Sequence, residues 1–117
     1  MSDQKHIEVA EVGDVTVVRF ADRKIIDVNS INELGDELFD LTEKENRKSL
    51  LLNFEKVEFL SSAALNKLIV LDKKVKAASG KLKFCSLRPE IIEVFVITRL
   101  NQLFDIREDE PDALAGF

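Results

Sequence analysis

Ser61 and Ser62 stand where an extended run gives way to a helical one, in Val57-Glu58-Phe59-Leu60-Ser61-Ser62-Ala63-Ala64-Leu65. The run before them, 49–54, is strand-like, and 65–78 after them repeats apolar residues at helical spacing. A helix start leaves backbone N–H groups without partners, and a serine oxygen is suited to accept from one of them. The same N–H groups and the helix dipole attract negative charge, including a phosphate attached to the chain. Two chemistries are therefore open here: a local helix cap, or a recognition and phosphorylation point.

Catalytic chemistry finds little support. Attack by Ser61 or Ser62 needs a base, and the single histidine, His6, lies near the terminus. Cys85 sits in the alternating pattern Lys81-Leu82-Lys83-Phe84-Cys85-Ser86-Leu87 with no His or Cys close by, which suits a small buried hydrophobe. One Cys and one His are too few for a usual zinc site. The glycines Gly13, Gly35, Gly80 and Gly116 form no phosphate-binding loop. No carboxylate pair is set apart by its neighbours for acid–base work. The expectation is a protein that is not an enzyme and uses no cofactor or metal.

The composition narrows the class further. A chain of 117 residues supports one domain with one core. Hydrophobic residues at 45% and charged residues at 33% are an ordinary globular balance. The eight Phe, with no Trp or Tyr, favour core filling. A net charge of −5 leaves no basic excess for a phosphate backbone, so direct nucleic-acid binding is not expected. No apolar run reaches the roughly 18 residues that span a bilayer. Residues 1–6 lack the apolar core of a signal peptide, and the lone cysteine suits a reducing compartment. A cytoplasmic location follows.

The elements that must position the serines can be read from periodicity. Strands are expected over 6–10 and 15–20, with Glu11-Val12-Gly13-Asp14 as the hairpin turn. Ile25-Ile26-Asp27-Val28 reads as a short extended piece. Ser30 and Glu33 form a capping box, followed by Ile31, Leu34, Leu38 and Leu41 on one helical face as far as Glu45-Asn46. The Leu-rich run over 49–54 suits a central strand covered on both faces. A second helix over 65–78 ends at Ser79-Gly80, with Gly80 free to turn left-handed; its lysines, Lys67, Lys73, Lys74 and Lys76, read as a solvated face. A strand follows over 81–87, then a helix opened by Pro89, then a last strand over 103–107. Glu108-Asp109-Glu110-Pro111-Asp112 reads as a mobile acidic tail. The order β-β-α-β-α-β-α-β implies an α/β fold with parallel pairs and one antiparallel hairpin.

The stretch Leu52-Asn53-Phe54-Glu55-Lys56-Val57-Glu58-Phe59-Leu60-Ser61-Ser62-Ala63-Ala64-Leu65 resembles the signature of the bacterial anti-sigma factor antagonists, the STAS domains. There a strand carrying Leu-Asn-Leu leads to Val-x-Phe-Met/Leu-Asp-Ser-Ser-Gly-Leu, and the second Ser is phosphorylated by a partner kinase. Aligned without gaps, the Asp falls on Ser61, the first Ser on Ser62, the phosphorylated Ser on Ala63 and the Gly on Ala64. Alanine has no hydroxyl, so the acceptor is missing at its usual position. The family's Gly-Glu-Leu-Asp, before the first helix, is best matched by Asp27, with Lys24 in place of the Gly. After the third helix the family carries Ser-Gly-Leu, where this chain has Thr98-Arg99-Leu100.

The resemblance implies a single STAS domain over 1–117: a small mixed sheet with helices packed largely on one side. It implies partner switching, in which the domain binds an anti-sigma factor, often a Ser/Thr kinase, and so frees a sigma factor for transcription. It places partner binding at Asp27, Asn29, Ser61, Ser62, Ala63, Asn66 and Lys67, with Ser62 or Ser61 the remaining acceptor. The outer face of the helix over 91–100 is a further candidate surface. Other readings stay open: a STAS module in a phospholipid-transport or stressosome-like assembly, or a small nucleotide-binding domain.

Overall fold

The computed structural model describes residues 6–117; residues 1–5, most of the stretch assessed for a signal peptide, lie outside the described residues. Strands β1 (Ile7–Val12) and β2 (Val15–Phe20) form the hairpin, with Ile7 opposite Phe20 and Val12 opposite Val15. Gly13 turns it at φ +61°, a left-handed conformation that glycine adopts without a Cβ penalty. Then follow β3 (Lys24–Ile25), α1 (Val28–Glu43), β4 (Ser49–Asn53), β5 (Phe59–Leu60), α2 (Ser62–Ala77) and β6 (Lys81–Cys85). Helix α3 (Pro89–Ile97), a 3-10 turn at Leu100–Gln102, β7 (Asp105–Arg107) and α4 (Glu110–Ala115) complete the chain.

The main sheet runs β1-β2-β4-β6-β7, antiparallel only in the hairpin. The expected order is present, and β3, β5 and α4 are added to it. Strands β3 and β5 make a separate parallel pair, Lys24 opposite Phe59 and Ile25 opposite Leu60. The extended piece expected over 25–28 is thus shorter and earlier, with Asp27 and Val28 going to the start of α1, and β5, of two residues, is too short to show a period of two.

One face of the sheet carries most of the core. Val18, Phe20, Leu50, Leu52, Phe54 and Phe84 pack there against Ile31, Leu34, Leu38 and Leu41 of α1, Leu65, Leu68, Leu71 and Val75 of α2, and Ile91 and Phe95 of α3. The phenylalanines stack through it: the Phe54 ring lies 4.7 Å from Phe20 and 5.3 Å from Phe84, and Phe84 lies 4.5 Å from Phe104. Ile69 and Leu82 are partly buried against it. The other face is thinner: Val15, Val17, Leu51 and Cys85 lie under Ala113 of α4.

Three expectations are corrected. The α1 cap is Asp27, whose carboxylate accepts the Ser30 N–H at 2.9 Å, so Ser30 and Glu33 form no capping box. The left-handed residue after α2 is Ser79, at φ +62°. The Ser79 and Gly80 N–H groups donate to the Lys76 and Val75 carbonyls at 3.0 and 2.8 Å, closing the helix. Gly80 is required instead because a Cβ there would collide with the Lys48 carbonyl oxygen. The acidic segment is not a loose tail: Asp109 caps α4 by accepting from Asp112 N–H at 3.0 Å, and Ala113 is fully buried.

His6 ties the start of β1 to two other elements. Its Nδ1 is 2.6 Å from Asp22 and its Nε2 3.3 Å from Glu33, while its backbone N–H donates to Glu37 at 3.1 Å. Burial works against the imidazolium, but the hydrogen bonds to Asp22 and Glu33 and the Asp22 and Glu37 charges outweigh it and raise its pKa above 6.5.

Two outcomes follow. Leu52→Ala removes a fully buried side chain and should cost about 2–5 kcal/mol in urea denaturation. His6 binds its proton more tightly when folded, so its stabilisation is complete below pH 6.5 and is lost as pH rises through the higher folded value. The advantage of wild type over His6→Gln in urea midpoint should therefore shrink as pH is raised; an advantage constant with pH would assign His6 a packing role only.

Candidate functional site

The serines are placed by the small parallel pair. After β4 the chain turns on Phe54, whose N–H donates to the Cys85 carbonyl and whose carbonyl accepts from Val57 N–H. The Glu58 and Phe59 N–H groups reach the Arg23 carbonyl at 2.7 and 3.2 Å, and Ser61 N–H reaches the Ile25 carbonyl at 3.1 Å. These bonds hold β5 against β3 and deliver Ser61 as the cap of α2. Its Oγ accepts the Ala64 N–H at 3.3 Å, and its carbonyl accepts from Leu65 at 3.0 Å. Ser61 is thus committed to the helix start.

Ser62 and Ala63 follow as the first two helical residues, and both are exposed. Ala64 and Leu65 turn inward to the core. The first turn of α2 carries no acidic side chain, so its positive end is left uncompensated from within the helix. Asn66 is exposed on the next turn.

Asp27 and Asn29 reach the same edge from the neighbouring element. The parallel register of Ile25 with Leu60 sends the α1 and α2 starts out side by side. Asp27 is exposed, and the Ser30 N–H bond holds its carboxyl below the usual carboxylate range. Asn29 is exposed in the first turn of α1. Lys67 differs from the others: its stem lies across Gly35 of α1 and its ammonium sits 5.9 Å from the Phe39 ring centroid. It packs α1 on α2.

Around the serines lie exposed apolar side chains, of which Ile26, Val28 and Phe59 were not among the expected partner-binding residues, while the outer face of α3 was a candidate surface. Ile26, Val28 and Phe59 are 57%, 66% and 56% exposed, with the Lys24 ammonium 5.7 Å from the Phe59 ring. β5 also touches α3, whose Ile92, Val96 and Ile97 are exposed. The available signal was position: Ile26 and Val28 flank Asp27, and Phe59 lies within the motif that carries the serines.

His6, the single histidine, is engaged with Asp22 and Glu33 rather than with either serine. Among the described residues no group of three His, Cys, Asp or Glu converges as metal ligands do. No helix among them is long and apolar enough to cross a membrane. The start of α2 thus presents an exposed hydroxyl, on Ser62, beside exposed apolar side chains.

Residues 6–113 match the STAS domain family. The chain belongs to that family. It is 30% identical over 92 residues to BtrV of Bordetella bronchiseptica, named as an anti-sigma factor antagonist, with 77% of this chain and 78% of BtrV covered. An anti-sigma-factor antagonist STAS domain protein from Planctomyces limnophilus has the same fold, with TM-score 0.82, 21% identity, and 94% and 95% of the two chains covered. The Bacillus cell-fate determinant SpoIIAA in its phosphorylated form superposes with TM-score 0.70 at 15% identity, over 93% and 96% of the chains. The STAS fold accounts for the mixed sheet with α1, α2 and α3 on one face.

Ser61→Ala removes the oxygen that caps α2 in this STAS domain. It should lower stability by about 1 kcal/mol in urea denaturation. Ser62→Ala, whose side chain makes no such cap, should leave the urea midpoint close to wild type.

Proposed function

We propose that this STAS domain is an anti-sigma factor antagonist that works by partner switching, without catalysis of its own. It docks the edge formed by the α1 and α2 starts onto an anti-sigma factor in the cytoplasm and so frees a sigma factor. The observation that carries this reading is the exposed Ser62-Ala63 pair at an uncompensated helix start, flanked by the exposed Ile26, Val28 and Phe59. The relationship to BtrV supports the same class of partner.

Asp27, Asn29, Ser62, Ala63 and Asn66 form the contact surface in this reading. Ser61 and Lys67 support it from behind, as cap and as packing between the two helices. The family's acceptor position is Ala63, so phosphate has no oxygen to join there. Ser62 precedes it on the helix, and one residue turns a side chain by roughly 100°. A kinase shaped for the Ala63 direction therefore meets the Ser62 hydroxyl off line, and the domain stays in its binding state. A phosphate at this edge adds nearly two negative charges, opposing docking by repulsion and desolvation.

Ala63→Glu puts a carboxylate at the acceptor position, where the helix start tolerates it. Circular dichroism should be unchanged, and affinity for the isolated anti-sigma factor, measured by calorimetry, should fall about tenfold or more. Unchanged affinity would place docking elsewhere on the domain. With the cognate kinase, mass spectrometry should find Ala63→Ser phosphorylated well and wild type poorly. Stoichiometric phosphate on Ser62 of wild type would restore ordinary phospho-regulation.

A further inference from the structure

Helix α4 lies on the second face of the sheet, away from the docking edge. It has 6 residues, against the roughly 12–15 at which a helix sustains itself in water. It buries one residue fully, Ala113, against Val15, Val17, Leu51 and Cys85; Leu114 and Phe117 add partly buried contact. An alanine removes little apolar area from water, so packing alone holds this helix weakly. By contrast α1 and α2 bury leucines along their whole length.

The firmest tie is polar. Arg19 Nη2 donates to both Glu110 oxygens, at 2.7 and 3.0 Å, and Asn53 Nδ2 donates to Glu110 Oε1 at 2.8 Å. The buried Asn53 amide is itself oriented, since its Oδ1 accepts from Glu55 N–H at 2.8 Å. At the far end of α4, Lys83 Nζ lies 5.2 Å from the Phe117 ring centroid. The segment joining β7 to α4 is short, Glu108 and Asp109, and the Glu108 carbonyl is anchored by Ser86 N–H at 3.1 Å.

Cys85 is fully buried in the cluster beneath α4. Burial pushes its thiol up to about 11, and the nearby Glu110 and Asp109 charges act in the same direction, while Arg19 opposes them. Lifting α4 would remove the cover and those carboxylates together and leave Arg19 unpaired.

We propose that α4 is a hinged strap, latched by Glu110 on Arg19 and Asn53, which swings away from the second face about Glu108–Asp109 while the α1–α3 core stays folded. In the closed state Cys85 is inert; in the open state it is a reactive thiol. The strap uses none of the docking residues, so it holds or fails independently of the proposed partner.

Thiol labelling of the full chain with an aryl disulfide reagent reads the opening. The Cys85 thiolate attacks one reagent sulfur, a mixed disulfide forms, and the coloured arylthiolate leaves. Labelling of wild type should proceed without denaturant at a rate nearly flat at low urea, because strap opening exposes little surface. Glu110→Ala should speed it about ten- to hundredfold, the factor that goes with losing a charged hydrogen bond. Arg19→Gln should speed it too, and the double variant should be no faster than the faster single, since both break one latch.

Ile31→Val is the control on the opposite face. It weakens the α1–α3 core, which is intact in both strap states, so labelling should not change. The strap is overturned if wild-type labelling climbs with urea as steeply as global unfolding does, or if Ile31→Val accelerates it severalfold. Glu110→Ala labelling at the wild-type rate, or single-variant effects that multiply in the double variant, would overturn the latch.

Discussion

The burial of Phe54 is the constraint on which the other parts depend. Its ring is fully enclosed between Phe20, Phe84 and Phe95, on the residue that follows β4. Aromatic rings bring large apolar area and a preference for offset or edge contacts, so this cluster fixes the direction in which the chain leaves the sheet. The Val57 N–H then closes a turn on the Phe54 carbonyl, and Val57 is itself fully buried. From there only a few residues separate the core from Ser61. The edge that carries Ser61 and Ser62 inherits its geometry from a packed core rather than from a free loop.

The edge unites two helix starts that are treated differently. The start of α1 is capped by a carboxylate, Asp27, which places negative charge at a positive end. The start of α2 is capped by a neutral hydroxyl, Ser61, with no acid in its first turn. One end is therefore satisfied and the other is still attractive to an acceptor from outside. The β3–β5 pairing sets them side by side, and the exposed Ile26, Val28 and Phe59 give the surface apolar contact area.

The two faces of the sheet are held by different forces. The α1–α3 face is a large apolar cluster, while the α4 face combines a small apolar patch with ion pairs. Glu110 meets Arg19, and Lys83, which is buried, meets Asp105, whose carboxyl is held low by hydrogen bonds from Arg107 and Lys83. Asn53 links the two sides, holding the Glu55 N–H of the loop toward the α2 start with one end of its amide and Glu110 with the other.

Long periodic segments were legible from the chain itself. The Leu50-Leu51-Leu52 run, the α1 spacing of Ile31, Leu34, Leu38 and Leu41, and the hairpin around Gly13 each repeat one physical rule several times, so composition and spacing determine them. The motif around Ser61 likewise pointed to the family. What the tertiary structure decided rests on single contacts between distant residues. Asp27 rather than Ser30 became the α1 cap, the Lys67 stem came to lie across Gly35 with its ammonium near Phe39, and Gly80 was needed for the approach of the Lys48 carbonyl. The acidic end of the chain became a helix because the exposed sheet face supplied Arg19, Asn53 and the small apolar patch that it covers. Local pattern carries information only about neighbours along the chain; a charged segment with no periodicity is ordered or loose according to what stands opposite it in space.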